Sequence, residues 1–357
     1  MTGAPYNVAV IGYGLSAKVF HIPFIQAVSA FKLHGIVQRS PKPGNDAGKD
    51  FPDVKIYGSV EEAYADADVA VIVITSIPET HFSMVKSSLE AGKHVIVEKP
   101  FVPTSGEAAE LISIAQKAGK LLSVYQNRRY DSDYNTVAKV MKLDKALGDV
   151  AEFESHFDRH RPDPPADTWK TADAPGHGAL YDLGSHLIDQ VHHFFGMPER
   201  VTGFVGNQRR GVSGGPPDSF TVMLHYPGLL ATVKAGVVSC EVEQLRFWVK
   251  GTKGSFRKLH LDVQEDQLKA GKRPGDEGYG VDPEDHYGTL TTIVDGKPKQ
   301  EVYQTIQAPT YVGYYRDFAE ALDGKRGVPV LAEDARDVLK IIEAANKSSK
   351  EERSIRL

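Results

Sequence analysis

Three stretches carry residues whose types and spacing suit chemistry. Gly12-Tyr13-Gly14-Leu15-Ser16-Ala17 is a G-x-G-x-x-A turn. Its first glycine permits a tight bend, its second lets backbone approach a pyrophosphate, and the small third residue lets helix and strand pack closely. The N–H groups of the following helix then aim at phosphate, which makes Gly12, Gly14, Leu15 and Ser16 candidate dinucleotide contacts. Glu98-Lys99-Pro100 stands at the tip of an apolar run. A charged pair there costs desolvation unless it is used. Asp182 and His186 lie four apart in a helical pattern and so share a face. By itself such a histidine is a structural one by default; its carboxylate neighbour raises the prospect of proton exchange near neutral pH.

The elements that position these residues follow from periodicity. Residues 7–11 form an apolar run without alternation, the mark of a strand buried on both faces of a parallel sheet. Further strands are predicted at 31–37, 69–74, 94–97 and 121–125, with helices between them. Two helix starts carry a capping box, Ser59 with Glu62 and Thr104 with Glu107, and the second helix stops at Gly119. Regular alternation of this kind implies an α/β, doubly wound parallel sheet that closes near Gln126. From Val150 the segments become short and β-rich, at 150–157, 201–205, 220–226, 230–238, 245–250 and 256–261, with a hairpin at Gly251–Gly254 and a helix over 182–195. The prediction is an N-terminal domain of residues 1–126 and an α+β domain of residues 127–357 built on a large, mostly antiparallel open sheet. Such a sheet, covered on one face, commonly pairs with another copy, so a homodimer or homotetramer through it is expected. The loops at 159–178 and 269–285 are long enough for lids or mobile tips.

The end of the second strand decides the dinucleotide. An acid normally stands there to take the ribose hydroxyls of NAD, but this chain reads Gln38-Arg39-Ser40. A guanidinium and a hydroxyl can hold a 2′-phosphate, so Arg39 and Ser40 point to NADP, with NAD as the alternative if Arg39 is only a solvated loop residue. Thr75-Ser76-Ile77-Pro78 and His81 end another strand and open a helix, and their backbone is placed to line a nicotinamide ribose. A plain strand–turn–helix explains the same residues. Asp189 and His193 extend the polar stripe of Asp182 and His186, but Asp182 to His193 spans ~16 Å at ~1.5 Å per residue. No cysteine or third ligand stands near, and no metal site is expected; His192 and His193 read as helix-end residues.

Composition bounds the remaining classes. The 357 residues are 41% hydrophobic and 25% charged, with a formal net charge of −5 and a pI near 6.2. That balance argues against nucleic acid or an anionic membrane as partner. The one cysteine, Cys240, excludes an internal disulfide and reads as a small buried residue. No apolar run reaches the ~20 residues of a membrane span, the first residues lack a signal-peptide pattern, and a cytoplasmic location is expected.

The three motifs, in this order, resemble the glucose–fructose oxidoreductase / inositol dehydrogenase family over essentially the whole chain. Residues 126–131 (QNRRYD), 154–159 (ESHFDR) and 181–189 (YDLGSHLID), with the charged loop near 267–278, look like its NADP-dependent scyllo-inositol dehydrogenase branch. The resemblance implies a Rossmann N-terminal domain and an NADP-dependent oxidoreductase. The reaction would interconvert a secondary alcohol and a ketone on a cyclic polyol or sugar by hydride transfer. It further implies that His186 takes the hydroxyl proton, that Asp182 orients the imidazole, and that Lys99 stabilises the developing alkoxide and braces the nicotinamide ribose. An imidazole of ordinary pKa ~6.5 suits that task. Glu98 belongs with Lys99 on the cofactor side. Asn127, Asp158, His160 and Trp169 join His186 as candidate substrate contacts. Arg128, Arg129 and Arg161 read as surface or interdomain ion pairs, and Tyr311, Tyr314 and Tyr315 as core packing. Two rival activities share the pattern: a non-catalytic dinucleotide-binding regulator, and NAD-assisted glycoside cleavage or elimination. Inositols, aldoses and diketo compounds all fit as substrates.

Overall fold

The structure, a computed structural model, describes residues 4–163, 174–210 and 215–357. The chain divides into two compact units, one of residues 1–127, 264–279 and 309–336, the other of residues 128–263, 280–308 and 337–357.

The first unit holds six strands: β1 (Tyr6–Ile11), β2 (Phe31–Val37), β3 (Lys55–Tyr57), β4 (Val71–Ile74), β5 (His94–Val97) and β6 (Leu122–Val124). All pair in parallel, in the order β3-β2-β1-β4-β5-β6. Val71, Ile72, Val73 and Ile74 are all fully buried, which is why β4 shows no alternation. The strand order reverses between β1 and β4, the place where such sheets bind their ligands. Thr104 and Glu107 form the complete capping box at the head of the helix Ser105–Ala118, and Gly119 ends it in the left-handed region at φ 63°. At the other predicted box, Ser59 accepts from the Glu62 N–H, but the Glu62 carboxylate turns to the N–H of Gly58. Gly35 is required where β2 meets β3, since a Cβ there would stand 2.2 Å from Cε2 of Tyr57. The helix Thr310–Leu322 also belongs to this unit and buries Tyr311, Tyr314 and Tyr315.

The second unit holds nine strands: β7 (Val150–His156), β8 (Arg200–Gly206), β9 (Ser219–Tyr226), β10 (Leu229–Ala235), β11 (Leu245–Gly251), β12 (Gly254–Leu259), β13 (Gly288–Val294), β14 (Lys297–Tyr303) and β15 (Ile355–Arg356). Their order is β14-β13-β12-β11-β7-β10-β9-β8-β15, and every pair is antiparallel except β7 with β10. One face is apolar and covered: Phe153 meets Phe194 at 5.7 Å and Phe195 at 5.6 Å on the helix Ser185–Phe195. Gly203 on β8 lies so close to the helix Ala332–Glu351 that a Cβ would stand 2.4 Å from the carbonyl of Ala345. The opposite face leaves Phe204 60%, Trp248 38% and Val302 75% exposed. Cys240 is exposed rather than buried, because β10 ends at Ala235 and the residue falls in a loop. Among the described residues no helix is long and apolar enough to cross a membrane.

Candidate functional site

Because the first sheet is parallel, the C-terminal ends of β2, β1, β4 and β5 lie side by side along one edge. Gly12 opens the turn after β1 with φ 99°, and a Cβ there would stand 2.9 Å from Thr75 Oγ1. Both its backbone sign and its closeness therefore demand glycine. Thr75 Oγ1 donates to the Ile11 carbonyl at 2.8 Å and ties the end of β4 to this turn. Gly14 and Leu15 are exposed, Leu15 by 63%, while Ser16 is half-buried at the head of a π-helical turn, Ala17–His21, that leads into the helix Ile22–Ala27.

At the end of β2, Gln38 is locked by its own amide. Nε2 donates to the Asn45 carbonyl at 2.8 Å, and Oε1 accepts from the Ala47 N–H at 2.7 Å. The turn so formed leaves Arg39 and Ser40 exposed. After β4, Ser76 Oγ accepts from Thr80 Oγ1 at 2.7 Å, Ile77 is exposed by 36%, and Pro78 is buried at the first turn of the helix Pro78–Glu90. His81 is fully buried, with Nδ1 3.0 Å from the Pro100 carbonyl and 3.1 Å from that of Phe101, and Nε2 3.1 Å from that of Ser76. Burial pushes its pKa down. With no exposed atom, His81 shapes the two turns and reaches a ligand only through the backbone it touches.

Glu98 and Lys99 follow β5, both half-buried, and the Lys99–Pro100 peptide is cis. Glu98 Oε1 accepts from Ser16 Oγ and from His21 Nε2 at 3.0 Å; Oε2 accepts from the Lys99 N–H at 3.0 Å. Burial raises the pKa of this carboxyl, but the bonds from His21 and Ser16 and the neighbouring Lys99 charge outweigh it and hold the group below the usual carboxylate range. His21 is the residue that sequence reasoning misses. It sits in an apolar helix start, and nothing in local spacing links it to a carboxylate 77 positions away.

In the second unit Asp182 lies in a π-helical turn, Leu180–Gly184, and His186 in the α-helix Ser185–Phe195. The four-apart spacing therefore crosses a change of helical repeat that periodicity does not reveal. His186 is 6% exposed and Asp182 half-buried. Ion pairs fix this helix. Arg129 grips Asp189 with two bonds of 2.8 and 2.7 Å, and Gln190 donates to the Arg128 carbonyl at 3.0 Å. Gln190 Oε1 also accepts from Arg246 Nη2 at 2.9 Å, and Arg246 Nε donates to Asp133 at 2.7 Å. Arg128 and Arg129, read from sequence as surface or interdomain ion pairs, are buried, at 4% and 9% exposure, and Arg129 is paired within the second unit. His193 bonds the Tyr134 hydroxyl at 2.7 Å, and His192 lies 3.9 Å from Asp337.

Of the candidate substrate contacts, Asn127 is buried at the start of a short 3-10 turn and His160 is exposed. Asp158 Oδ2 faces His156 Nδ1 at 3.3 Å, while its buried Oδ1 has no hydrogen-bond partner among the described residues. Trp169 lies outside the described residues. Away from these residues, His34, Asp66 and Asp68 bring possible ligand atoms within 4.8 Å of one another, but Asp66 is committed to Lys55 at 2.6 Å and Tyr57 at 2.8 Å.

A glycine turn at the switch point of a six-stranded parallel sheet, followed by a one-sided sheet domain, defines a two-part protein of the dinucleotide-binding class. The chain matches the profile "Oxidoreductase family, NAD-binding Rossmann fold" over residues 6–126 and "Oxidoreductase family, C-terminal alpha/beta domain" over residues 142–357. It belongs to that family, the glucose–fructose oxidoreductase / inositol dehydrogenase family whose motifs it carries. It is 40% identical to the oxidoreductase C115.03 of Schizosaccharomyces pombe over 99% of this chain and 100% of the relative. It is 36% identical to the scyllo-inositol 2-dehydrogenase (NADP(+)) IolW of Bacillus subtilis over 98% of this chain and 96% of the relative. Among solved structures, the oxidoreductase YvaA of Bacillus subtilis superimposes with a TM-score of 0.94 at 36% identity, covering 100% of both chains.

Proposed function

We propose that this oxidoreductase uses NADP to interconvert a secondary alcohol and a ketone on a cyclic polyol or sugar, with scyllo-inositol as the reference substrate. The observation that carries the reading is the edge of the parallel sheet, where the Gly12 turn, the exposed Arg39–Ser40 pair and Lys99 follow β1, β2 and β5, and the segment Gln38-Arg39-Ser40 contains no acidic residue. The tightness of the turn supports the reading, since a Cβ at Gly12 would stand 2.9 Å from Thr75 Oγ1 while the space beside Gly14 is open. Gly12, Gly14, Leu15 and Ser16 receive the pyrophosphate, Arg39 and Ser40 the 2′-phosphate, and the turn of Thr75, Ser76, Ile77 and Pro78 with Glu98 and Lys99 the nicotinamide ribose. When bound, the nicotinamide supplies the hydride acceptor or donor.

His186 accepts the proton of the substrate hydroxyl, Asp182 orients the imidazole, and the Lys99 ammonium stabilises the negative charge that grows on oxygen. In the reverse direction His186 returns the proton. Asp158, whose buried Oδ1 has no donor among the described residues, is suited to a substrate hydroxyl, with Asn127, His160 and Trp169 as further contacts. The exposed face of the nine-stranded sheet, with Phe204, Trp248 and Val302, supports pairing with a second copy.

The test is a panel of inositols, aldoses and ketoses with NADP and with NAD, read by nicotinamide absorbance. Stoichiometric reduced nicotinamide from a polyol, with cofactor lost on dialysis, supports the reading and excludes both a silent regulator and transient NAD-assisted cleavage. Arg39→Ala should weaken NADP by about tenfold or more and leave NAD unchanged. A strong preference of the unaltered enzyme for NAD refutes the cofactor assignment.

A further inference from the structure

One buried titratable cluster takes no part in the proposed reaction, and it lies against Glu98. His21 is fully buried, yet both ring nitrogens are engaged, Nε2 at 3.0 Å from Glu98 Oε1 and Nδ1 at 2.6 Å from the Tyr315 hydroxyl. An ionised carboxylate only accepts, so Nε2 bears a ring hydrogen and donates to Glu98, while Nδ1 bonds the Tyr315 hydroxyl. Burial pushes the Tyr315 phenol well above its ordinary pKa, so the hydroxyl keeps its proton beside the ring. The same carboxylate accepts Ser16 Oγ and the Lys99 N–H. One acid thus joins the residue behind the glycine turn to the backbone of Lys99, and its third tie runs through His21 to the helix Thr310–Leu322.

We propose that His21 and Tyr315 are positioning residues for Lys99: they fix the Glu98 carboxylate, and the carboxylate fixes the Lys99 main chain. This rests on the reading that Lys99 works in hydride transfer. The physical reason is the strength and count of the bonds. A carboxylate with three donors has one orientation, and bonds to a charged acceptor are roughly twice as strong as neutral ones. Removing the His21 donor frees Glu98, whose side chain is 12% exposed, to turn toward water and release the Lys99 N–H. The Ser16 bond makes the link to the cofactor turn direct.

The test uses His21→Leu, which removes the donor, His21→Gln, which returns an N–H donor, and Tyr315→Phe, which removes one hydroxyl and keeps the packing. Two readouts are taken: binding of NADPH against 2′-phospho-ADP-ribose, which lacks the nicotinamide, and kcat and KM for scyllo-inositol with NADP. His21→Leu should lower kcat by about tenfold or more, with KM for the polyol changed by less than about threefold and 2′-phospho-ADP-ribose bound as before. His21→Gln should recover part of kcat, and Tyr315→Phe should lose about threefold. If His21→Leu does not fold, the other two variants carry the test. Equal weakening of NADPH and of 2′-phospho-ADP-ribose overturns the proposal, as does normal kcat in His21→Leu or, where that variant does not fold, normal kcat in both His21→Gln and Tyr315→Phe. Lys99→Ala serves as the control. Retained turnover there refutes the underlying reading, whereas its loss beside normal His21 variants refutes this inference alone.

Discussion

Replacing Arg246 by methionine tests whether the polar core under the His186 helix is held by one guanidinium. Arg246 is fully buried and bonds Asp133 at 2.7 Å, Ser155 Oγ at 2.8 Å and Gln190 Oε1 at 2.9 Å. Methionine fills much of the volume but leaves Asp133, 0% exposed, without its counter-charge. Breaking a buried pair from one side costs about 3–5 kcal/mol, a factor of roughly 10²–10⁴ in the unfolding equilibrium. Arg246→Met with Asp133→Asn removes the orphan charge, and the amide oxygen still accepts the Tyr134 N–H that Asp133 Oδ1 accepts at 2.5 Å. The double variant is therefore expected to be more stable than the Arg246→Met single by at least about 1 kcal/mol, against the additive expectation. Trp248 lies on β11, so its fluorescence during urea unfolding follows the second unit. An Arg246→Met transition within about 1 kcal/mol of the unaltered protein, or a double variant weaker than the single, refutes the reasoning.

Three further outcomes are expected. Lys99→Ala and His186→Ala should each lower polyol turnover by at least about a hundredfold while NADPH titrations still show binding; near-normal turnover in both removes their assignment. Burial pushes the His94 pKa down to about 4, and its Nδ1 accepts the Leu121 N–H, so the folded ring stays neutral where the unfolded one, near 6.5, takes a proton. Stability should thus fall as pH drops from about 6.5 toward 4, and His94→Gln should flatten that limb in thermal melts; an unchanged slope counts against it. Gly35→Ala should cost about 1–3 kcal/mol through the clash with Tyr57, read as a lower Tm, and an unchanged Tm would show that the tyrosine swings aside.

The first unit is legible in the sequence because its strands are buried on both faces, so 71–74 reads as an unbroken apolar run and the glycine turn follows one such run. The place of Lys99, just past the end of β5, is legible for a related reason, a charge at the tip of a buried strand. The second unit is legible in outline only. Alternation puts Arg246 on the same face as the exposed Trp248, but the register slips between Leu245 and Phe247 and turns Arg246 inward. The partners of Arg129 and His21 lie 60 and 77 positions away, so no local pattern announces that these groups are buried and paired. The π-helical turn that carries Asp182 has no signature in an i, i+4 count.

The way the chain threads its two units bears on its synthesis. The first unit takes its last pieces from residues 309–336, among them Tyr315, which bonds His21, and Val330, whose carbonyl accepts from Ser123. At roughly 5–20 residues per second, a ribosome that has just made Asn127 needs about 10–40 s more to deliver them. Through that interval the glycine turn exists in the nascent polypeptide without its full support, a window in which chaperone capture or early cofactor loading would have the most influence.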